Sequence, residues 1–480
     1  MRVAAYAALP LLISAAPGAQ FQDVQLRLES PLASYSRPGT SFTARITGPA
    51  SYDRPSLLPA GTLVRGVVRQ AHSIGLGVRR ERAGLTLEFE GCELPTGQAA
   101  ECDVRLLAVD NARETVRNDN RIQGMLAASH PPRFLSGLWY RPSSTLLLRP
   151  VSGLMGAGGM ICKRMAPGPL GAAIMISTRL IFFRIPDPEI ELPPGTDLLA
   201  RLSVPDEHYA EPLFLHHHDG AWPPGFLDWL GDQSRETTRA DGQRVADEIN
   251  MAFLASEADL TAAFTAAGWE GADALTGRTF AKTYSAFIGM KSYPRAPVSM
   301  IHYQKRSPDL VFQKSFNTLS RRHHIRLWKV ERPAGGVVWL GAATHDVGLV
   351  FDWNRMNLTH RIDLNIDRER SKVTNDLSAV SCLSAMVATP HRSQRKKFRG
   401  EAAVTDGAVW AAQLQPCQAA PPIALALLKP NRSRAALSVR RVVLESRYYL
   451  TRGNAYHFAY ESVRWAFFGR NDVKSPLSDN

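Results

Sequence analysis

No run of about 18 uninterrupted apolar residues occurs in the chain, which excludes a polytopic membrane protein. No HExxH, GxSxG or P-loop sequence occurs either, so three common signatures of hydrolytic and nucleotide chemistry are missing. The 5 cysteines include no CxxC pair, which removes zinc ribbons and thioredoxin-like sites. No zinc finger, RNP-type aromatic motif or basic-region heptad speaks for nucleic acid. Hydrophobic residues at 45% and charged residues at 21% exclude wholesale disorder and collagen-like structure. What stands out is positive charge, with 57 Lys plus Arg against 44 Asp plus Glu and a formal net charge of +13. Such a balance suits anionic surroundings: phospholipid headgroups, phosphorylated ligands or polyanionic sugars. A basic protein with no polyanionic partner fits the same number.

A length of 480 residues allows about two to four domains. The chain opens with Arg2, then a short apolar stretch over residues 3–16, then small residues around Ser14-Ala15-Ala16 and Pro17-Gly18-Ala19. This is the pattern of a secretory signal peptide over residues 1–19, and it predicts an exported, periplasmic or outer-envelope protein. Export permits disulfides. Cys92 and Cys102 flank the turn Pro95-Thr96-Gly97 between two alternating segments, so they are expected to bond across a hairpin. Cys162, Cys382 and Cys417 leave an odd count.

Residues 20–205 read as an all-β barrel or sandwich. Segments 23–28, 41–46 and 84–89 alternate polar and apolar side chains, the period of half-buried strands. The phrase Leu57-Leu58-Pro59-Ala60-Gly61-Thr62 is echoed by Glu191-Leu192-Pro193-Pro194-Gly195-Thr196. In both, a Pro-x-Gly turn feeds a strand. The phrase resembles turns in β-barrel modules of bacterial envelope and conjugation-channel proteins. A Gly/Ala-rich insertion over residues 151–175 is expected to pack under the β domain, and Lys163 and Arg164 stop it spanning a bilayer as one helix. Residues 206–245 read as a linker, and its His216-His217-His218 triplet as loop histidines.

Residues 246–425 read as an α+β domain with a mainly antiparallel sheet. Ser256 and Asp259 form a capping box before the stripe Leu260, Ala263, Phe264 and Ala267. A hairpin is expected from residues 325–330 against 337–344, then a helix from about Asp367 through Leu383. Residues 426–480 read as a basic extension whose segment 454–468 forms an amphipathic helix. The basic run 393–400 reads as a solvated loop or an anionic-surface contact.

Several phrases of the second domain carry a resemblance. They are AAFTAAGW at 262–269, DLVFQKS at 309–315, RRHHIRLW at 321–328, WLGAATHDVG at 339–348 and THRIDLNIDRER at 359–370, with Val298-Ser299 and Thr405-Asp406-Gly407. In order and spacing they are similar to the LssY C-terminal domain family, over about residues 248–410. Members of that family are often joined to membrane-embedded modules, some resembling lipid phosphatases. The resemblance therefore implies an envelope setting and lipid- or phosphate-directed chemistry. This chain departs from it by placing a β domain in front.

The polar residues of this region suggest a site. If Val330 opposes Val337, then His324, Arg326 and His345 share one face of the hairpin, with Asp346 and His323 on the other. A one-residue slip puts His323 there instead. His360 and Asp363 follow on the next segment. The candidate site residues are thus His324, Arg326, His345, Asp346, His360 and Asp363. Imidazoles and a carboxylate can hold a divalent metal and leave a place for water. Alternatively a His acts as base or nucleophile while Arg326 pairs with a phosphate or carboxylate. A hydrogen-bonded cluster that pins the hairpin is the structural alternative. Convergence of His324, His345, His360 and Asp363 in one pocket would favour an enzyme. Taken together, the sequence points to an exported envelope protein that binds an anionic or metal-associated ligand, or hydrolyses it. The alternative is a non-catalytic component of a secretion or envelope assembly, its second domain binding a protein partner.

Overall fold

The computed structural model describes residues 20–126, 187–205, 222–417 and 433–451, apart from short gaps. The first part is built from β1 Gln20–Leu28, β2 Leu32–Ala33, β3 Ser41–Pro49, β4 Leu63–His72, β5 Arg82–Glu93, β6 Ala99–Ala100, β7 Asp103–Val109, β8 Thr115–Val116, β9 Arg121–Leu126, β10 Glu191–Leu192 and β11 Asp197–Val204. Nine of these strands form one antiparallel sheet along the path β7-β11-β1-β3-β4-β5-β9-β8, with β6 paired to β5. The sheet is nearly closed. Asn120, in the β8–β9 turn, accepts from Leu106 N of β7 at 2.8 Å and so draws the two ends together. The alternation read from the sequence places Val24, Leu26 and Leu28 of β1, Phe42, Ala44 and Ile46 of β3, and Leu85 and Leu87 of β5 in one core. Burying each large aliphatic side chain contributes about 1.5–3 kcal/mol. Position 66 of β4 suits glycine because a side chain there would strike the Phe42 ring and the Glu88 carbonyl.

Both Pro-x-Gly echoes are turns of one design. Gly61 and Gly195 have φ of 92° and 87°, which favours glycine. Thr62 and Thr196 each return a hydroxyl bond to the proline carbonyl three residues back, at 2.8 and 2.7 Å. Cys92 and Cys102 are joined by a disulfide, and so are Cys382 and Cys417, a pairing the sequence did not offer. The predicted leader, the 151–175 insertion, the 216–218 histidines and the 454–468 segment lie outside the described residues. No helix among the described residues is long and apolar enough to cross a membrane.

The second part comprises α1 Phe226–Asp232, β12 Glu236–Arg239, β13 Val245–Glu248, β14 Met251–Leu254, α2 Glu257–Ala266, β15 Glu270–Gly271, α3 Gly277–Ile288, β16 Ile301–Tyr303, β17 Leu310–Lys314, β18 Arg322–Glu331, β19 Val337–Asp352, β20 Asn357–Ile362, α4 Ile366–Ser378, β21 Leu383–Ala388, β22 Lys397–Phe398, β23 Glu401–Ala402, β24 Trp410–Leu414 and α5 Arg434–Thr451. Its main sheet runs β15-β17-β18-β19-β14-β24-β21, with β20 on β19. Only the β14–β24 pairing in this sheet is parallel. Part of the stretch expected to be linker is folded: α1 buries Phe226 and Leu230 beside Trp328 and Leu340, and β12 pairs with β13 and β16. The apolar i, i+4 pair of α1 is masked in sequence by its Pro and Gly neighbours. Ser256 caps α2 by accepting from Asp259 N at 3.1 Å.

One face of the β18–β19 hairpin packs Ile325, Leu327, Trp339 and Ala343 with residues of α2 and α4. The other packs Trp328, Val338, Leu340 and Ala342 with residues of α1 and β16. The register differs by one residue from the expected one. Glu331 opposes Val337 and Val330 opposes Val338, because the turn closes from Arg332 N to Gly336 O, one residue tighter than expected.

Helix α4 ends at Ser378, sooner than expected, and it is buried from Glu369 through Leu377 although most of those residues are polar. Such a helix is stable only if most of its polar groups are met. It lies between the two parts of the chain, and both supply partners. Arg370 reaches Asp406 at 2.6 Å and lies 4.2 Å over the Trp410 ring. Asn375 donates to Pro49 O of β3 at 2.9 Å and accepts from Tyr52 Oη at 2.5 Å. Gly48 permits that approach, since a Cβ there would collide with the Asn375 amide.

Candidate functional site

The one-residue shift in register decides the site. His323 stands opposite His345, and their rings stack with centroids 4.1 Å apart. His323 is 5% exposed on its side chain, and a carboxylate meets each ring nitrogen. Nδ1 lies 2.6 Å from Glu369 of α4, and Nε2 lies 2.8 Å from Asp110 at the end of β7. Asp110 belongs to the β domain, so the group spans the junction. The next residue, Asn111, adopts φ 51°, an uncommon conformation for a residue other than glycine. Its amide nitrogen donates to Lys314 O at 3.2 Å, which leaves the amide oxygen to face His345 Nε2 at 2.9 Å. That oxygen only accepts, so Nε2 of His345 carries a proton and Nδ1 keeps its lone pair.

Electrostatics set the two rings apart. Burial alone would lower the His323 pKa, but Asp110 and Glu369 outweigh it and raise it to about 10. Burial, reinforced by the charge on His323, lowers the His345 pKa to about 3. Asp110 is held well below the usual carboxylate range: burial opposes this, and His323 overrides it. Burial pushes Glu369 up. At neutral pH a charged imidazolium is thus clamped between two acids, with a neutral imidazole on its face. The ligand-type atoms of Asp110, His323 and His345 all lie within 4.8 Å of one another.

Beside this group lies a buried network that also crosses the junction. Asp376 of α4, fully buried, meets Arg27 of β1 at 2.7 Å, Lys372 at 2.7 Å and Lys314 at 2.9 Å. It also accepts from the Trp269 indole at 2.9 Å. Asp197 of β11 meets Arg27, Lys314 and Lys372 at 2.8, 2.9 and 2.7 Å. Burial opposes ionisation of both acids, yet the surrounding cations hold both below the ordinary aspartate value.

The residues singled out from sequence divide between places. His345 is in the junction group. His324, Arg326 and Asp346 are not: they point to the other face of the sheet, because alternate residues alternate faces. His324 Nε2 lies 2.7 Å from Thr344 Oγ1, and Arg326 pairs with Asp247 at 2.6 Å and with Ser299 O at 3.0 Å. Asp346 lies 3.4 Å from Arg322. Arg326, expected to await a phosphate or carboxylate ligand, therefore has an internal carboxylate. Asp363 donates its backbone N–H to His345 O at 2.8 Å and accepts from Asn365 N at 3.0 Å, a turn that leads into α4. The backbone of His360 pairs with Leu349 in the β19–β20 ladder, and its side chain lies outside the described residues. His324 and His345 thus occupy opposite faces, and the four-residue pocket that would have favoured an enzyme does not form.

Asp110, Asn111, His323 and Glu369 were not among the chosen residues. His323 was reachable through the alternative register. Asp110 and Asn111 carry no local sign, since Asn111 meets His345 across 234 positions of sequence.

Residues 231–409 match the family model described as LssY C-terminus. That span is an LssY C-terminal domain, and it contains both histidines and α4. Asp110 lies outside it. No curated protein matches the chain.

Proposed function

We propose that this chain is an exported bacterial envelope protein in which an LssY C-terminal domain and a barrel-like β domain jointly hold one binding site for an anionic or metal-associated ligand. The observation that carries the reading is the convergence of half-buried Asp110 and His345, from the two domains, on a buried His323 anchored from behind by Glu369. Half-buried groups in front of a fixed one can be reached from solvent, whereas packing alone would favour apolar side chains here. The leader-like N-terminus and the two disulfides support export, since an oxidising compartment preserves such bonds.

A second reading has its own support. Both nitrogens of His323 are met within the protein, and the Asp376 network ties the same two domains. On that reading the group pins the junction of a structural or partner-binding component.

His345→Ala separates the two. Used as a ligand residue, its loss should abolish saturable binding of divalent cations and inorganic phosphate while the thermal midpoint barely moves. Used as a pin, its loss should cost about 1–3 kcal/mol, the penalty for buried polar groups left unpaired, with binding retained. Export has a separate check. Protein recovered from its host should begin near Gln20 on N-terminal sequencing, and an intact Met1 in the cytosol would defeat it.

A further inference from the structure

We propose that Asp110, His323 and His345 hold one divalent first-row transition-metal ion at the junction of the two domains, with Glu369 as the carboxylate that orients His323. This rests on the ligand-site reading above and names the class of ligand. Two imidazoles and one carboxylate are the donor set of zinc-like and iron(II)-like centres, whereas calcium and magnesium prefer all-oxygen shells. The donor atoms already lie within 4.8 Å of one another. Donors on one tetrahedral ion, with bonds of about 2.0–2.2 Å, are roughly 3.5 Å apart, so the donors must close in and the stacked His345 ring must turn until its lone pair meets that of His323.

Glu369 supplies an independent observation. Its Oε2 sits 2.6 Å behind His323 Nδ1, the arrangement in which an outer carboxylate fixes the orientation of a metal-binding imidazole. Its other oxygen, Oε1, is buried with no hydrogen-bond partner. Ligands must be deprotonated to bind, so the ion replaces the proton shared by His323 Nε2 and Asp110, which passes to solvent. Three protein ligands leave at least one coordination position for water or an anion. Since Asp110 comes from the β domain, the ion would also bridge the domains, and its affinity would depend on both.

The test titrates chelator-stripped full-length protein with Co²⁺ alone and follows visible absorption. One saturable equivalent per chain is expected, displaced by Zn²⁺, with affinity at least tenfold weaker in Asp110→Asn and in His345→Gln. Should either variant fail to fold, Zn²⁺ should still raise the thermal midpoint of the wild-type protein, and a His217→Ala variant should keep the cobalt signal. No saturable cobalt uptake overturns the proposal. So does uptake that survives both ligand variants and is lost in His217→Ala. Inorganic phosphate provides the second arm: phosphate that binds without cobalt overturns the metal inference and leaves the ligand-site reading standing. Failure of both probes removes both.

Discussion

His323→Leu is expected to lower stability by about 3–5 kcal/mol, the range for removing one partner of a buried ion pair. The leucine would leave Glu369, 2% exposed, facing hydrocarbon, and would strip Asp110 of its partner. Most of the loss is the cost of stranding charge rather than the worth of the contact. The double replacement His323→Leu with Glu369→Leu should therefore recover part of it. Urea unfolding of the two single variants and the double variant closes the cycle. A single-variant loss below about 1 kcal/mol would mean that water already serves those carboxylates.

A comparable loss, about 3–5 kcal/mol, is expected for Asp376→Asn. Three cations and an indole converge on this one carboxylate, and only Asp197 would remain to balance Arg27, Lys314 and Lys372. The variant should also change the response to acid. The surrounding cations hold the folded pKa of Asp376 below the ordinary aspartate value, so its stabilisation is complete above about pH 4 and is lost as pH falls through the folded value. Asparagine does not titrate, so the variant should lose less stability than the wild type between pH 4 and 2. Parallel stability curves for the two proteins would contradict this assignment.

The strands, the cap on α2 and the LssY C-terminal domain were legible because their signals are local. Alternation in β1, β3 and β5, the Ser256 hydroxyl, and the Pro-x-Gly turns each act within a few residues. The hairpin was legible too, but its register was not. One residue fewer in the turn moved His323 to the face of His345 and sent His324 and Arg326 to the opposite one. A period of two makes any site on a strand that sensitive. Helix α4 was found, yet its role was not. Its polar composition suggests a solvated surface, and only the docking of the β domain explains why Glu369, Lys372 and Asp376 are buried. Asp110 was beyond reach for the same reason: its partner lies in another domain, and no periodicity connects them.

A metal-holding Asp110–His323–His345 group and a mere pin between domains differ in what zinc would do to the crystal. Anomalous diffraction at the zinc edge, from crystals of the protein grown with Zn²⁺, separates the two. A metal site should give one dominant peak about 2.0–2.2 Å from the donor atoms of Asp110, His323 and His345. A zinc-saturated crystal with no peak there, and with His323 still bonded to both Asp110 and Glu369, would contradict it.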